Sequence, residues 1–109
     1  LGHPTGRQIL RRDPFTFDVE RVFDAAKKLG VILELNGNPE RLDLSDRHVR
    51  RAHDKGMKIV ISTDAHDPSH FRFMRFGVTT ARRGWMGARC VVNTYSPEKL
   101  LATLRPLPA

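Results

Sequence analysis

Apolar positions along this chain follow two rhythms in alternation. Val19, Val22, Phe23, Ala26 and Leu29 recur at helical spacing, while Glu20, Arg21, Asp24, Lys27 and Lys28 fill the opposite face. That stripe predicts an amphipathic helix with all five apolar residues turned inward, stopped at Gly30. The runs 31–35 (Val-Ile-Leu-Glu-Leu) and 58–63 (Lys-Ile-Val-Ile-Ser-Thr) are short, β-branched-rich and almost continuously apolar. Parallel strands buried on both faces have this appearance. Between them, residues 46–55 read as a second helix, capped by Ser45 and ended at Gly56. Ser96 followed by Pro97 opens a last helix, with Leu100, Leu101 and Leu104 expected inward. Phe71, Phe73 and Phe76 are expected to serve the core; Trp85 either anchors packing, the favoured role, or stacks on an unpaired base.

Short apolar strands alternating with helices imply βα units and a parallel sheet, hence an α/β fold. The polar residues keep step with this alternation. His3 lies near the start, Asn36-Gly37-Asn38-Pro39 follows the first strand, and Asp64-Ala65-His66 follows the second. Successive strand ends therefore deliver polar side chains to one rim, as in a (β/α) barrel or an open parallel sheet. Ile32, Glu34 and Asn36 share one face, and so do Ser62, Asp64 and His66 if the extended conformation continues. Glu34, a carboxylate in an apolar strand, must be paired or hydrogen-bonded. It is either a partner beneath the rim or a structural ion-pair member, and the structural role is favoured.

A carboxylate and an imidazole converging at a strand end suit a divalent cation such as Mn²⁺ or Zn²⁺. The alternative is a strand-end turn with a capping Asp64 and an exposed His66. Charge adds a second theme: 19 Lys+Arg against 12 Asp+Glu give a formal net charge of +7, much of it in the doublets Arg11-Arg12, Arg50-Arg51 and Arg82-Arg83. Guanidinium forks match phosphate geometry, so the basic balance favours nucleic acid or phosphorylated substrates over a merely solvated face. Arg7, Arg41, Arg82 and Arg83 are candidates to clamp phosphates, Arg7 and Arg83 foremost. Asn36 and Asn38 either orient a ligand or simply make a turn. His48, His53 and His70 sit among charges and are expected to face solvent.

No stretch approaches the roughly 20 apolar residues of a membrane span, so no membrane role is expected. The single cysteine, Cys90, cannot form an internal disulfide and reads as a small buried hydrophobe, consistent with a reducing, cytoplasmic setting.

Four segments in this order resemble consecutive motifs of a known family: Leu1-Gly2-His3-Pro4-Thr5-Gly6-Arg7, Glu34-Leu35-Asn36-Gly37-Asn38-Pro39-Glu40-Arg41-Leu42-Asp43, Thr63-Asp64-Ala65-His66 and Gly77-Val78-Thr79-Thr80-Ala81-Arg82-Arg83-Gly84-Trp85. The family is the PHP (polymerase and histidinol phosphatase) domain, in the version found at the C-terminus of bacterial family X DNA polymerases. The resemblance covers nearly all of the chain. It implies a distorted (β/α) barrel of seven units carrying up to three divalent ions at its C-terminal rim, with Mn²⁺-dependent 3′→5′ exonuclease activity. Carried over residue by residue, it makes His3, Asp64 and His66 metal ligands, with Asp64 and His66 at the catalytic centre. Arg7, Asn36, Asn38 and Arg83 are the substrate-binding candidates. The family's remaining ligands have no counterpart here, and a barrel of this kind normally needs 200 residues or more. Residues 1–109 are thus expected to be the C-terminal half of one PHP-type domain, a piece of a longer chain. The expected partners are the rest of that polypeptide and DNA, at single-stranded or gapped 3′ ends. A phosphatase acting on a small phosphomonoester such as histidinol phosphate is the alternative enzyme. A DNA-binding or structural module without catalysis is the non-enzymatic one.

Overall fold

Local capping chemistry sets the first helix. In the computed structural model, which describes residues 1–104, helix α1 (Val19–Leu29) opens where the Asp18 carboxylate accepts the Arg21 amide at 3.1 Å. It closes at Gly30, whose φ of 69° lets the chain turn back so that Val31 N–H reaches Ala26 C=O at 2.8 Å. Phe23 and Ala26 are buried and Val19 and Val22 pack beside them, as the stripe predicts. Leu29 is not: it is 65% exposed, because the turn at Gly30 leaves its side of the last turn uncovered.

Strands β1 (Leu33–Asn36) and β2 (Ile59–Ser62) pair in parallel, Leu33 opposite Ile59 and Asn36 opposite Ser62, with α2 (Asp46–Asp54) as the crossover. Helix α2 opens at Ser45, whose hydroxyl accepts the His48 amide. The sheet extends at both edges. On one side Leu1 donates to Ile32 C=O and accepts from Glu34 N–H, the alternation of a parallel ladder. On the other, Val91 bridges Ile59 in parallel, and the Asn93 amide both accepts from Ile61 N–H and donates to Ile61 C=O, standing in for a neighbouring strand. The spatial order Leu1, β1, β2, Val91 repeats the order in the chain.

Burial alternates along β2 and along β1 as far as Leu35, instead of covering both faces; Asn36, which ends β1, is buried as well. Leu33, Leu35, Ile59 and Ile61 are buried, whereas Glu34, Val60 and Ser62 are half-buried. The buried side faces Phe23, Leu44, Val49, Ala52, Met57, Ala81 and Met86. Each buried Val, Leu, Ile, Met or Phe among these contributes about 1.5–3 kcal/mol by leaving water. Cys90 packs half-buried against this core, as a small hydrophobe should.

After β2, a 3₁₀ segment (Pro68–Phe73) leads into α3 (Met74–Arg83). This helix seats itself through glycines. A Cβ on Gly37 would stand 2.7 Å from Phe73 C=O and 3.0 Å from Gly77 N, and one on Gly84 would lie 2.4 Å from the Val49 side chain. Gly37→Ala is therefore expected to cost about 1–3 kcal/mol in urea denaturation, since backbone cannot yield as a side-chain tip can. An unchanged midpoint would show that α3 is free to shift. Two short 3₁₀ turns and helix α4 (Pro97–Thr103) complete the described chain.

Several side chains lie elsewhere than the pattern suggests. Phe71, Leu101 and Leu104 are 69%, 70% and 50% exposed, while Phe73 and Phe76 are half-buried and stacked on each other. Trp85 is 66% exposed rather than an anchor, because its positive φ (63°) carries the ring away from the buried Met86 beside it. His48 is half-buried against Phe23 instead of facing solvent, and its Nδ1 is buried without a hydrogen-bond partner. Burial, reinforced by Arg51, holds its pKa below the ordinary 6.5. A base whose folded pKa is depressed stabilises the fold above its unfolded pKa and loses that contribution as pH falls through the folded value. The melting temperature should thus drop as pH falls below about 6.5, and His48→Leu should flatten that limb relative to the parent. Parallel melting profiles for the two proteins would remove His48 from the account.

Candidate functional site

Two strand ends and the loop after β1 build the polar rim. Asn36, fully buried, ends β1 and accepts the Asn38 amide with its side-chain oxygen at 2.9 Å; Asn38 in turn accepts the Glu40 amide at 2.9 Å. Both asparagines are thereby engaged in Asx turns. The loop returns so that Asp43 and Asn36 form a two-way backbone bridge, Asn36 N–H to Asp43 C=O at 2.5 Å and Asp43 N–H to Asn36 C=O at 3.2 Å. The Asp43 carboxylate, fully buried, accepts from Thr5 N–H (3.1 Å), the Thr5 hydroxyl (2.9 Å) and Gly6 N–H (3.1 Å). Arg7 adds a second tie, donating Nε to Arg41 C=O at 2.8 Å and an Nη to Leu42 C=O. Arg7 thus has a structural occupation in binding the 36–43 loop.

His3 rests on the strand face that Glu34 and Asn36 share. Its backbone N–H donates to Glu34 Oε2 at 2.6 Å, and its ring Nδ1 lies 3.8 Å from the same oxygen and 3.5 Å from Asn36 Nδ2. Glu34 Oε1 accepts from the Ser62 hydroxyl at 2.5 Å. Glu34 is therefore both satisfied structurally and placed beneath His3, which unites the two roles considered for it.

After β2 the extended conformation stops. Asp64 has φ 52°, in the left-handed region, so Ser62, Asp64 and His66 do not continue as one extended face. Asp64 and His66 nonetheless meet. His66 Nδ1 is 2.7 Å from Asp64 C=O and 3.9 Å from its Oδ1. Because a carbonyl only accepts, Nδ1 carries the proton in the neutral ring and Nε2 keeps the lone pair. Asp64 Oδ2 pairs with Arg41 Nε at 3.2 Å, while Arg41 Nη1 is buried without a hydrogen-bond partner. Asp64, His66, Asn38, Arg41, Gln8 and His70 line one hollow of about 420 Å³. His70, expected in solvent, is half-buried there: it accepts the His66 amide on Nδ1 at 3.2 Å and stacks on Phe73 at 5.1 Å. The four-residue spacing from His66 to His70 was the available signal.

The predicted residues thus fall into two groups, His3 with Glu34 and Asn36, and Asp64 with His66, Arg41 and Asn38. Among the described residues, no set of three or more His, Cys, Asp or Glu side chains is placed to hold one metal ion. Arg83 lies apart from both groups. It is largely exposed and donates Nε and Nη2 to Asp46 Oδ2 at 3.1 and 3.0 Å, holding that carboxyl below the usual range. No described helix is long and apolar enough to cross a membrane.

The fold and rim define an α/β protein whose parallel strand ends present carboxylate, imidazole and guanidinium groups together. Over 105 residues the chain is 41% identical to the DNA polymerase/3′-5′ exonuclease PolX of Bacillus subtilis (strain 168). That likeness takes in 96% of this chain and 18% of the relative's length. No family model matches the chain.

Proposed function

We propose that this chain is part of a PHP-type, metal-dependent phosphoesterase domain of a family X DNA polymerase, trimming DNA 3′ ends in repair. One observation carries the reading: a chain alike over 96% of its length to a protein named as a 3′-5′ exonuclease brings Asp64, His66 and Arg41 into one hollow. The sequential order of Leu1, β1, β2 and Val91 is what a segment of a (β/α) barrel would show, and it supports the barrel reading.

The donor chemistry of the hollow fits a borderline divalent cation. Asp64 supplies an anionic oxygen, and His66, its Nδ1 committed to a carbonyl, keeps Nε2 as a ligand nitrogen, the usual arrangement around a metal-bound histidine. His3, oriented through Glu34 and grouped apart from Asp64 and His66, would ligate a neighbouring ion in this proposal, and the rest of the cage comes from other parts of a longer polypeptide. When bound, Mn²⁺ or Zn²⁺ would lower the pKa of a coordinated water toward neutrality. The chain's own residues do the rest. Arg41 holds the Asp64 carboxylate and places positive charge beside an incoming phosphate. Arg7, Asn36 and Asn38 fix the loop that carries Arg41, so their contribution to substrate is by shaping the rim, and Arg83 offers an exposed guanidinium to the DNA backbone.

The test is release of single nucleotides from a 3′-labelled oligonucleotide by the longer protein that carries this segment, with Mn²⁺ and then with chelator. Turnover of a small phosphomonoester in preference to the oligonucleotide would favour the phosphatase alternative. Equal cleavage with and without chelator would overturn the metal assignment.

A further inference from the structure

The exposed indole of Trp85 sits against a cluster of arginines remote in role from the Asp64 hollow. The Arg50 guanidinium carbon lies 3.9 Å from the Trp85 ring centroid. Arg50 also lines a surface hollow of about 390 Å³ with Arg47, Arg51, Arg83 and Asp46. Through Asp46 and Arg83 that hollow continues into a second one, lined by Arg7, Ser45, Thr79 and Thr80. The result is a shallow track with an aromatic face at one end, guanidinium groups along it and hydroxyls at the other end. Trp85 is held out by its backbone: its N–H donates to Arg82 C=O at 3.0 Å and the next residue's to Ala81 C=O at 3.0 Å.

We propose that this track binds an unpaired nucleic-acid strand, one base stacking on Trp85 and successive phosphates meeting Arg47, Arg50 and Arg83. Three observations converge on that occupant. A tryptophan 66% exposed forgoes burial that large aromatics ordinarily gain. Arginine is the side chain that both stacks on π-faces and takes phosphate bidentately. The acidic neighbours do not neutralise the track: Arg47 has no ion-pair partner among the described residues, and the pairs of Arg50 with Asp54, Arg51 with Glu20 and Arg83 with Asp46 are solvent-exposed. Such pairs contribute little and exchange readily for phosphate. A duplex hides its base faces, so an exposed indole selects a single strand. The proposal rests on the DNA reading above, with which it shares Arg83, but not on the metal, since none of its residues lines the Asp64 hollow.

Trp85 is the chain's single tryptophan, so its fluorescence reports this surface alone. In chelator, a short oligothymidylate added to the 109-residue chain is expected to quench that emission saturably, with affinity falling as salt rises by a log–log slope of about −0.7 per phosphate engaged. Oligouridylate in a parallel arm sets RNA against DNA. Trp85→Ala, followed by anisotropy of a labelled oligonucleotide, is expected to weaken binding about 5- to 100-fold, with Trp85→Phe restoring most of it. Arg47→Ala should lower the salt slope, with circular dichroism confirming that each variant is folded. Inorganic polyphosphate should compete without quenching. Wild-type affinity in Trp85→Ala, equal quenching by polyphosphate, or quenching that follows protein concentration and not oligonucleotide would each overturn the proposal, the last by assigning the surface to a protein contact.

Discussion

Asp43→Ala is expected to remove about 3–5 kcal/mol of folding stability, the largest effect of any single polar substitution in the described chain. The carboxylate is completely buried and receives two backbone N–H groups and one hydroxyl from Thr5 and Gly6. Truncation leaves those donors in the interior without acceptors, and each buried donor so orphaned costs about 1–3 kcal/mol. Since natural domains are stable by only about 5–15 kcal/mol, the variant should sit near the unfolding threshold. Asp43→Asn should be milder, because its oxygen still serves two of the three donors while its amide turns N–H toward the third. Thr5→Val should be milder again, removing one hydroxyl. Urea denaturation of the three variants should reproduce that order. A loss below about 1 kcal/mol for Asp43→Ala, the size of one ordinary net hydrogen bond, would mean that residues 5–6 are held by something else.

The same contact separates what the sequence discloses from what it withholds. Helix limits were legible where local signals were read: Ser45 caps with its own side chain and Gly30 accepts the left-handed turn, whereas the Asp18 cap emerged only in the structure. The parallel pairing of β1 and β2 was legible because two apolar runs flank one helix. Asp43 carried no such signal, since its partners lie 37 and 38 residues away and meet it only in the folded chain. The outward placement of Leu29, Leu101 and Leu104 was likewise invisible: helical periodicity names a face without saying whether anything covers it. At the candidate site, the meeting of Asp64 and His66 was readable from their spacing, but the means was not. Extended parity would have aligned them along a strand; instead Asp64 turns left-handed and its own carbonyl fixes the His66 ring. Arg41 was one of four arginines considered for phosphate, and only tertiary geometry sets it on Asp64.

On the proposal that Asp64 ligates the metal, loss of its carboxylate is expected to lower 3′-end cleavage by a family X polymerase carrying this segment about 100-fold or more. The clean variant is Asp64→Asn. Asparagine tolerates the left-handed backbone that Asp64 adopts at φ 52°, whereas alanine there adds about 1–2 kcal/mol of strain and confuses activity with stability. Asn keeps the size and one oxygen but drops the negative charge that a cation requires, so kcat should fall while the melting temperature holds. His66→Gln should behave similarly, removing Nε2 from a side chain that is 79% exposed and contributes little to packing. Arg41→Lys tests the neighbouring pair. A lysine keeps the charge but lacks the fork, so it should restore part of the Asp64 contact and depress activity about 10- to 100-fold, as partners of metal ligands do when changed. Raising the Mn²⁺ concentration should recover some activity in Arg41→Lys, where ligand orientation is loosened, and little in Asp64→Asn, where a ligand is lost. Full activity in Asp64→Asn at ordinary Mn²⁺ would place the chemistry elsewhere and leave the Asp64–Arg41 pair as an element of the fold.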